Sequence, residues 1–578
     1  MAKFLLGILT GILLTFFMAV FVVALIASLS PGQPSIQKDS ILTMRLRGDI
    51  PEHAASEFSI QWLRHGPPPT LLDLRNALKE AADDERISAL VLESGGLGTG
   101  WAKAQEIRYG IENFKKSGKP VIALLNNAGT IDYFVSSTAD EIFMVPEAIL
   151  DMKGLRAEVS FYADTLDKLG IEAEVERIGK YKSAAEPFSR SSMSDEYREV
   201  VNSVLDDLYT RFIATVAKSR EMPDDAFRAL LDEGPFLSSD AVEAGLIDGL
   251  KYEDQFRDYV KKKLEQEEWR EVTFSAYRKP LESTTGFGGG DQIAVVYAVG
   301  DIMSGNSEVD PFLDARILGD ESFSKTLREV REKDDVKAVI LRVNSPGGDA
   351  FASDRMWREV NLLREKKPLV VSMSNVAASG GYYISMAQAP VVAYPGTFTG
   401  SIGVIYGKMN LRGLYDKIGV KKEILTRGRF AAIDSDYRPL TREERAKLRH
   451  EIQAVYKTFV QKVADSRERS WEEIEEVAQG RVWLGNQAYE KGLVDELGGF
   501  DRAIELAQQA AELQDGEYRL VPYPGPQQLI EALFDVDRFA WKGSLRLPSN
   551  LNPKRFAISP SLLEGGVLRL APYAITVQ

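Results

Sequence analysis

The chain has no cysteine and only three histidines, His53, His65 and His450, among 578 residues. The first absence excludes a thiol nucleophile, a disulfide framework and a thiolate metal site. It leaves the compartment open, since an exported protein can dispense with disulfides. The second leaves no His-Glu-x-x-His zinc site and few candidates for the base of a histidine triad. If the chain is a hydrolase, its base is not expected to be imidazole, and neither a metal nor a cofactor is called for. Positive charge is in deficit: 71 basic against 85 acidic side chains give a formal net charge of −14. Such a surface repels phosphate backbones and argues against a nucleic-acid partner. Disorder is excluded, because 44% of the residues are apolar and 27% charged, the balance of a chain that buries real cores. At very roughly 150 residues per domain the length allows several domains, or two large ones.

Long apolar runs are also scarce, with one exception. Phe4 to Leu29 carries no charge, and the next charged residue is Lys38. About 20 apolar residues rising 1.5 Å each span a bilayer core, whereas the apolar region of a cleaved signal peptide is about 7–15 residues. Residues 1–36 therefore read as an uncleaved membrane anchor with a short linker. Lys3 precedes the span without an acidic residue, so the positive-inside rule puts the N-terminus in the cytoplasm and the body outside it.

What the sequence does have is a repeat of itself. Ile87-Ser-Ala-Leu-Val-Leu92 matches Val336-Lys-Ala-Val-Ile-Leu341, and Pro120-Val-Ile-Ala-Leu124 matches Pro368-Leu-Val-Val-Ser372. Asp132-Tyr-Phe-Val-Ser136 matches Gly381-Tyr-Tyr-Ile-Ser385, and Gly245-Leu-Ile-Asp248 matches Gly492-Leu-Val-Asp495. Most offsets are close to 249 residues. The body is thus one domain twice, at 37–282 and 291–515, joined by the glycine-rich linker 283–290. Apolar strands alternate with charged, periodic helical segments such as 354–366 and 442–465, the pattern of an α/β fold with a mostly parallel sheet. Residues 516–578 lie outside the repeat as a C-terminal extension without assignment.

The two copies differ where chemistry is at stake. Asn344-Ser-Pro-Gly-Gly-Asp-Ala350 directly follows a strand, and its paired glycines let backbone N–H groups point into a cleft. In Ala377-Ala-Ser-Gly-Gly-Tyr382, Ser379 sits among small residues where a strand hands over to a helix. Together these segments supply a nucleophile and two N–H donors for an oxyanion. The first copy has Thr130 for Ser379, Ile131 for Gly380 and Gly98-Thr99 for Gly347-Gly348, so it is not expected to form an active centre alone. The exchange reverses at Gly179-Lys-Tyr-Lys-Ser-Ala-Ala-Glu186, where Lys182 aligns with Ala431. A serine without histidine needs another base. A lysine can serve once burial disfavours its charge, an effect of up to about 3–5 pKa units. From the residues alone Lys182 is either that base or a solvated surface lysine; Lys180, aligned with Arg429, reads as the latter.

These segments make the sequence recognisable. Asn344-Ser-Pro-Gly-Gly348, Ala378-Ser-Gly-Gly-Tyr-Tyr383, Thr399-Gly-Ser-Ile-Gly403 and Tyr181-Lys-Ser-Ala184 with Glu186-Pro-Phe188 resemble the signal peptide peptidase A (protease IV) family, in its long duplicated form from Gram-negative bacteria. The resemblance covers nearly the whole chain. It implies a fold of two tandem ClpP/crotonase-like α/β domains behind an N-terminal transmembrane helix. It further implies Ser379 as nucleophile, Lys182 as general base and acid, Ser401 as a supporting hydroxyl, and the N–H groups of Gly348 and Gly380 as the oxyanion hole. The implied partners are peptide substrates including cleaved signal peptides, the membrane through the N-terminal helix, and further copies in a homotetramer. The implied location is the inner membrane with the body on the periplasmic side. An interior site would exclude folded proteins and admit extended peptides, which are expected to add as a strand beside Gly347-Gly348. Lys180 and Asp349 bear on subsite preference. Two other readings stay open at this point: a crotonase-like acyl-CoA enzyme, which shares the two-N–H oxyanion hole, and an inactive membrane scaffold descended from such a peptidase.

Overall fold

The computed structural model describes residues 36–53, 69–278, 290–310, 315–514, 516, 518–525, 566–570 and 576–577, together with residues 7 and 11. The expected membrane span, apart from those two residues, and the expected joint 283–290, apart from Gly290, lie outside the described residues. Among the described residues no helix is long and apolar enough to cross a membrane.

Each half builds its own sheet. Among the described residues the first sheet has six strands, all paired in parallel, in the order Gly249–Leu250, Glu141–Met144, Val121–Leu125, Ile87–Leu97, Ser40–Gly48, Glu271–Thr273. The second repeats this plan around Leu369–Ala378, Val336–Ser345 and Asp291–Val299, again in parallel. Val336–Ser345 is buried at nearly every position, because helices cover both faces of a parallel sheet. The two expected helices are present as Ala350–Arg364 and Arg442–Arg467. The first starts where the Asp349 carboxylate accepts the Ala352 N–H at 2.6 Å; the second opens with a capping box between Thr441 and Glu444. Tyr518–Tyr523 pairs in parallel with Asp291–Val299, the place that Glu271–Thr273 takes beside Ser40–Gly48. The expected end of the second repeat at 515 therefore falls short of a strand that completes its sheet.

A third sheet joins the halves. Four of its strands are β1 (Glu172–Ile178), β2 (Gly347–Asp349), β3 (Val404–Asn410) and β4 (Gly566–Leu570). Among the described residues the order is Glu308–Asp310, Ala315–Gly319, Asp301–Met303, β2, β4, β3, β1. β1 comes from the first half and pairs antiparallel with β3 of the second, from Val404 opposite Ile178 to Asn410 opposite Glu172. Charge fixes the same seam. The buried Glu174 and Glu176 of β1 lie 2.7 and 2.9 Å from Arg445 on the long helix Arg442–Arg467, and Glu176 lies 2.8 Å from Arg449.

A second seam is built on Arg342, buried in its strand and placed 2.9 Å from Glu52 and 2.6 Å from Glu106 of the first half. Ser374 donates to Glu52 as well. Burial pushes the Glu106 carboxyl up to about 7, against the pull of Arg342 and helped by the neighbouring Glu52 charge. Burial would raise Glu52 too, but Arg342 and Lys103 outweigh it and hold that carboxyl below its ordinary value.

Candidate active site

Ser379 stands between the strand Leu369–Ala378 and the short helix Gly380–Ile384. Its backbone has φ 53° and ψ −113°, a strained conformation for a residue with a Cβ, worth on the order of 1–3 kcal/mol. Its own N–H donates to the Gly400 carbonyl at 2.8 Å and its carbonyl accepts from Tyr383 N–H at 2.8 Å, which holds the strain in place. The side chain is fully buried. Small neighbours are needed for the turn: a Cβ at Gly381 would stand 2.3 Å from the Ser345 carbonyl oxygen.

The two candidate oxyanion donors converge on this serine. A Cβ at Gly380 would lie 3.0 Å from Gly347 Cα and 3.2 Å from Gly348 N, so the helix start and β2 are in direct contact. Gly348 has φ +152°, and a Cβ there would meet the Ile302 carbonyl at 2.0 Å. No other residue fits.

Lys182 reaches the same point from the first half, on the loop after β1. It is 1% exposed. Its Nζ lies 2.7 Å from Ser379 Oγ, 2.8 Å from the Ser401 carbonyl oxygen and 3.0 Å from Ser401 Oγ. Gly403 leaves room for the stem, since a Cβ there would come within 3.0 Å of Lys182 Cδ. Glu186, of the Glu186-Pro-Phe188 segment, secures the loop. It pairs with Arg177 at 2.8 Å and accepts from Ser194 N–H and Oγ at 3.0 and 2.7 Å, while Arg177 donates to the Lys182 carbonyl at 3.2 Å.

The turn Gln479-Gly480-Arg481 clips the pieces together, and sequence reasoning missed it. Tyr181 N–H donates to the Gln479 carbonyl at 2.8 Å, Lys180 N–H to Gln479 Oε1 at 3.2 Å, Gly480 N–H to the Ile402 carbonyl at 2.7 Å and Ser401 N–H to the Arg481 carbonyl at 2.7 Å. One three-residue turn thus holds both the lysine loop and the Ser401 loop. Its only trace in the sequence is a glycine after the helix Trp471–Val477, a turn signal that names no partner.

The five residues singled out from sequence thus share one place: Ser379, Ser401, Gly348 and Gly380 from the second half and Lys182 from the first. Lys180 does not join them. It is exposed, its amine lies 4.6 Å from the Tyr181 ring centroid, and the Tyr181 hydroxyl raises its pKa further. His450 is exposed on Arg442–Arg467, His53 meets the Pro524 carbonyl at 2.7 Å, and His65 lies outside the described residues. The equivalent turn in the first half is built differently. Asp132, at the position of Gly381, accepts from Ser94 Oγ at 2.6 Å and from the N–H groups of Leu97, Gly129 and Gly96 at 3.0, 3.0 and 3.1 Å. The carboxylate ties the end of the strand Ile87–Leu97 to the start of the helix Thr130–Ser136, and a charged side chain stands where the second half has Gly381. Among the described residues no group of acidic and histidine side chains is placed to hold a metal ion.

Comparison with known proteins agrees with this duplicated plan. The family described as peptidase family S49 matches twice, at residues 113–267 and 361–514, together more than half of the chain. The chain belongs to peptidase family S49. Among S49 relatives, the chloroplastic serine protease SPPA of Arabidopsis thaliana is 39% identical, covering 83% of this chain and 70% of its own. Protease 4 of Salmonella typhi is 34% identical, covering 81% of this chain and 76% of its own. A putative signal peptide peptidase SppA of Enterococcus faecium is 35% identical over 34% of this chain and 57% of its own. A solved structure of a ClpP1 variant from Listeria monocytogenes covers 36% of this chain and 94% of that one at 18% identity, with a TM-score of 0.23, too low to carry weight. This S49 chain is a serine peptidase with its family domain duplicated.

Proposed function

We propose that this S49 peptidase cleaves extended peptides with a Ser379–Lys182 dyad. One observation carries the reading: Lys182 Nζ from one repeat lies 2.7 Å from Ser379 Oγ of the other. Burial favours the neutral amine, the form that accepts a proton. Lys182 takes the Ser379 proton as Oγ attacks the substrate carbonyl, and the N–H groups of Gly348 and Gly380 receive the developing oxyanion. The tetrahedral intermediate collapses, Lys182 protonates the leaving amine, and an acyl-enzyme remains on Ser379. Water then attacks the ester with Lys182 again as base, and Ser379 regains its proton. The Ser401 hydroxyl and carbonyl keep Nζ pointed at Oγ throughout. Signal-peptide remnants are the substrate class suggested by the family resemblance and by the name of the Enterococcus relative. The run Phe4–Leu29 would hold the body beside them at the inner membrane, on the periplasmic side and as a homotetramer.

A fluorophosphonate probe tests the dyad. The wild-type chain should label on Ser379; Ser379→Ala should abolish both labelling and hydrolysis of a peptide ester, and Lys182→Met should lower both by about 10²–10⁴-fold. Labelling of another residue, or full activity in Lys182→Met, would overturn the assignment. Cleavage of synthetic signal peptides but not of folded proteins would establish the substrate class.

A further inference from the structure

β4 belongs to the C-terminal extension, yet it lies in the middle of the sheet that carries the active centre. On one side it pairs antiparallel with β2, Gly347 opposite Leu570, Gly348 opposite Arg569 and Asp349 opposite Leu568. On the other it pairs antiparallel with β3, Ile405 opposite Leu568, Tyr406 opposite Val567 and Gly407 opposite Gly566. Without β4 the sheet falls into two pieces, with β2 and β3 facing each other across a slot one strand wide, roughly 9–10 Å between backbones. Both walls are catalytic in the proposed function. β2 contains the donor Gly348, and β3 follows Ser401 and pairs with the strand leading to Lys182. The last described strand of the extension, Thr576–Val577, repeats the relationship. It pairs with Ala157–Glu158, which the 249-residue offset equates with Tyr406-Gly407 of β3.

A slot that accepts one strand through two rows of backbone hydrogen bonds is a site for an extended peptide of loose side-chain specificity. Substrates arrive in the form that β4 already has, and they need the same backbone partners. We propose that the resident ligand of this slot is the chain's own C-terminal strand Gly566–Leu570, which an incoming peptide must displace to reach Ser379. Because the strand is tethered, it competes at an effective concentration on the order of millimolar rather than at the protein's own concentration. The proposal rests on the reading of Ser379 as nucleophile and of β2 as the oxyanion strand.

The test compares the full chain with a chain ending at residue 565 and with the full-length variant Leu568→Pro. Leu568 lies between both neighbouring strands, so a proline there removes an N–H that the ladder needs while the rest of the tail is retained. Both altered chains should label with fluorophosphonate faster by about tenfold or more, and should show a lower KM for a peptide ester at unchanged kcat. In the Ser379→Ala background, where nothing is cleaved, a fluorescent peptide of sequence 566–578 should bind the shortened chain and bind the full chain more weakly. Equal labelling rates and KM in all three chains, or equal peptide binding with and without the tail, would overturn the proposal. Absence of labelling in every chain would instead remove Ser379 as nucleophile, and the peptide-binding arm would still decide where the tail sits.

Discussion

Gly480 has no side chain where Lys182 needs the space: a Cβ at 480 would stand 2.6 Å from the Lys182 backbone nitrogen and 2.6 Å from its Cβ. Gly480 also has φ +75°, a conformation that resists any side chain. Gly480→Ala should therefore move the lysine loop as a whole. A displacement of about 1 Å at a reacting group costs on the order of 10²-fold, and kcat for a peptide ester should fall by that amount with KM little changed. Gly480→Val should fall further. Unaltered kcat in Gly480→Ala would mean that the Gln479-Gly480-Arg481 turn does not position the base.

The two lysines of Gly179-Lys-Tyr-Lys182 give a contrast within one loop. Lys182→Ala should lower kcat/KM by about 10²–10⁴-fold, the usual range for loss of a general base. Lys180→Ala removes an exposed amine resting on Tyr181 and should leave kcat/KM within about twofold. His450→Ala should be silent as well, because His450 is exposed on the outer helix. Steady-state rates on one peptide ester decide all three.

The contact between Ser379 and Lys182 is legible in the sequence because the chain carries its own comparison: each copy shows what the other has lost, and Ser379 with Thr130, or Lys182 with Ala431, stand out at one offset. Strand and helix periods likewise place Leu369–Ala378 and Arg442–Arg467. What stayed hidden depends on contacts between distant segments. Nothing in the local sequence marks Glu52, Glu106 and Arg342 for burial, since their cluster forms only through contacts between the halves. Tyr518–Tyr523 contains Pro522, which argues against a strand, and is tolerated because this strand lies at the sheet edge. β4 shows no strand signal strong enough to stand without the slot that receives it.

Ser401 offers Lys182 two oxygens, its hydroxyl at 3.0 Å and its carbonyl at 2.8 Å. Ser401→Ala removes only the first. Loss of one hydrogen bond of about 1–2 kcal/mol corresponds to roughly 5- to 30-fold in rate, so the variant should remain measurably active and well above Lys182→Ala. Its labelling by fluorophosphonate should slow by the same factor. A loss equal to that of Lys182→Ala would assign Ser401 a larger part than orienting the amine.

The seam at Arg342 makes stability depend on pH through Glu106. Its carboxyl titrates at about 7 in the folded chain against 4.5 ordinarily, so the folded state binds the proton more tightly than the unfolded state. Protonated Glu106 therefore contributes stability that is complete below about pH 4.5 and is lost as pH rises through about 7. Glu52, held below its ordinary value, acts in the opposite sense and only in acid, as pH falls below that value. Between about pH 5 and about pH 8 Glu106 should thus contribute a fall on the order of 2–3 kcal/mol, offset in part by His53, whose pKa burial lowers so that its contribution grows as pH rises. Thermal unfolding should show Tm falling across this range in the wild type. Glu106→Gln keeps a neutral, hydrogen-bonding group beside Arg342 and should flatten the fall. A parallel decline in both chains would place the titration elsewhere. Glu52→Gln tests the other carboxylate: it removes the neighbouring charge that helps to raise the Glu106 pKa, so that pKa should drop and the decline should shrink, although burial of Glu106 remains.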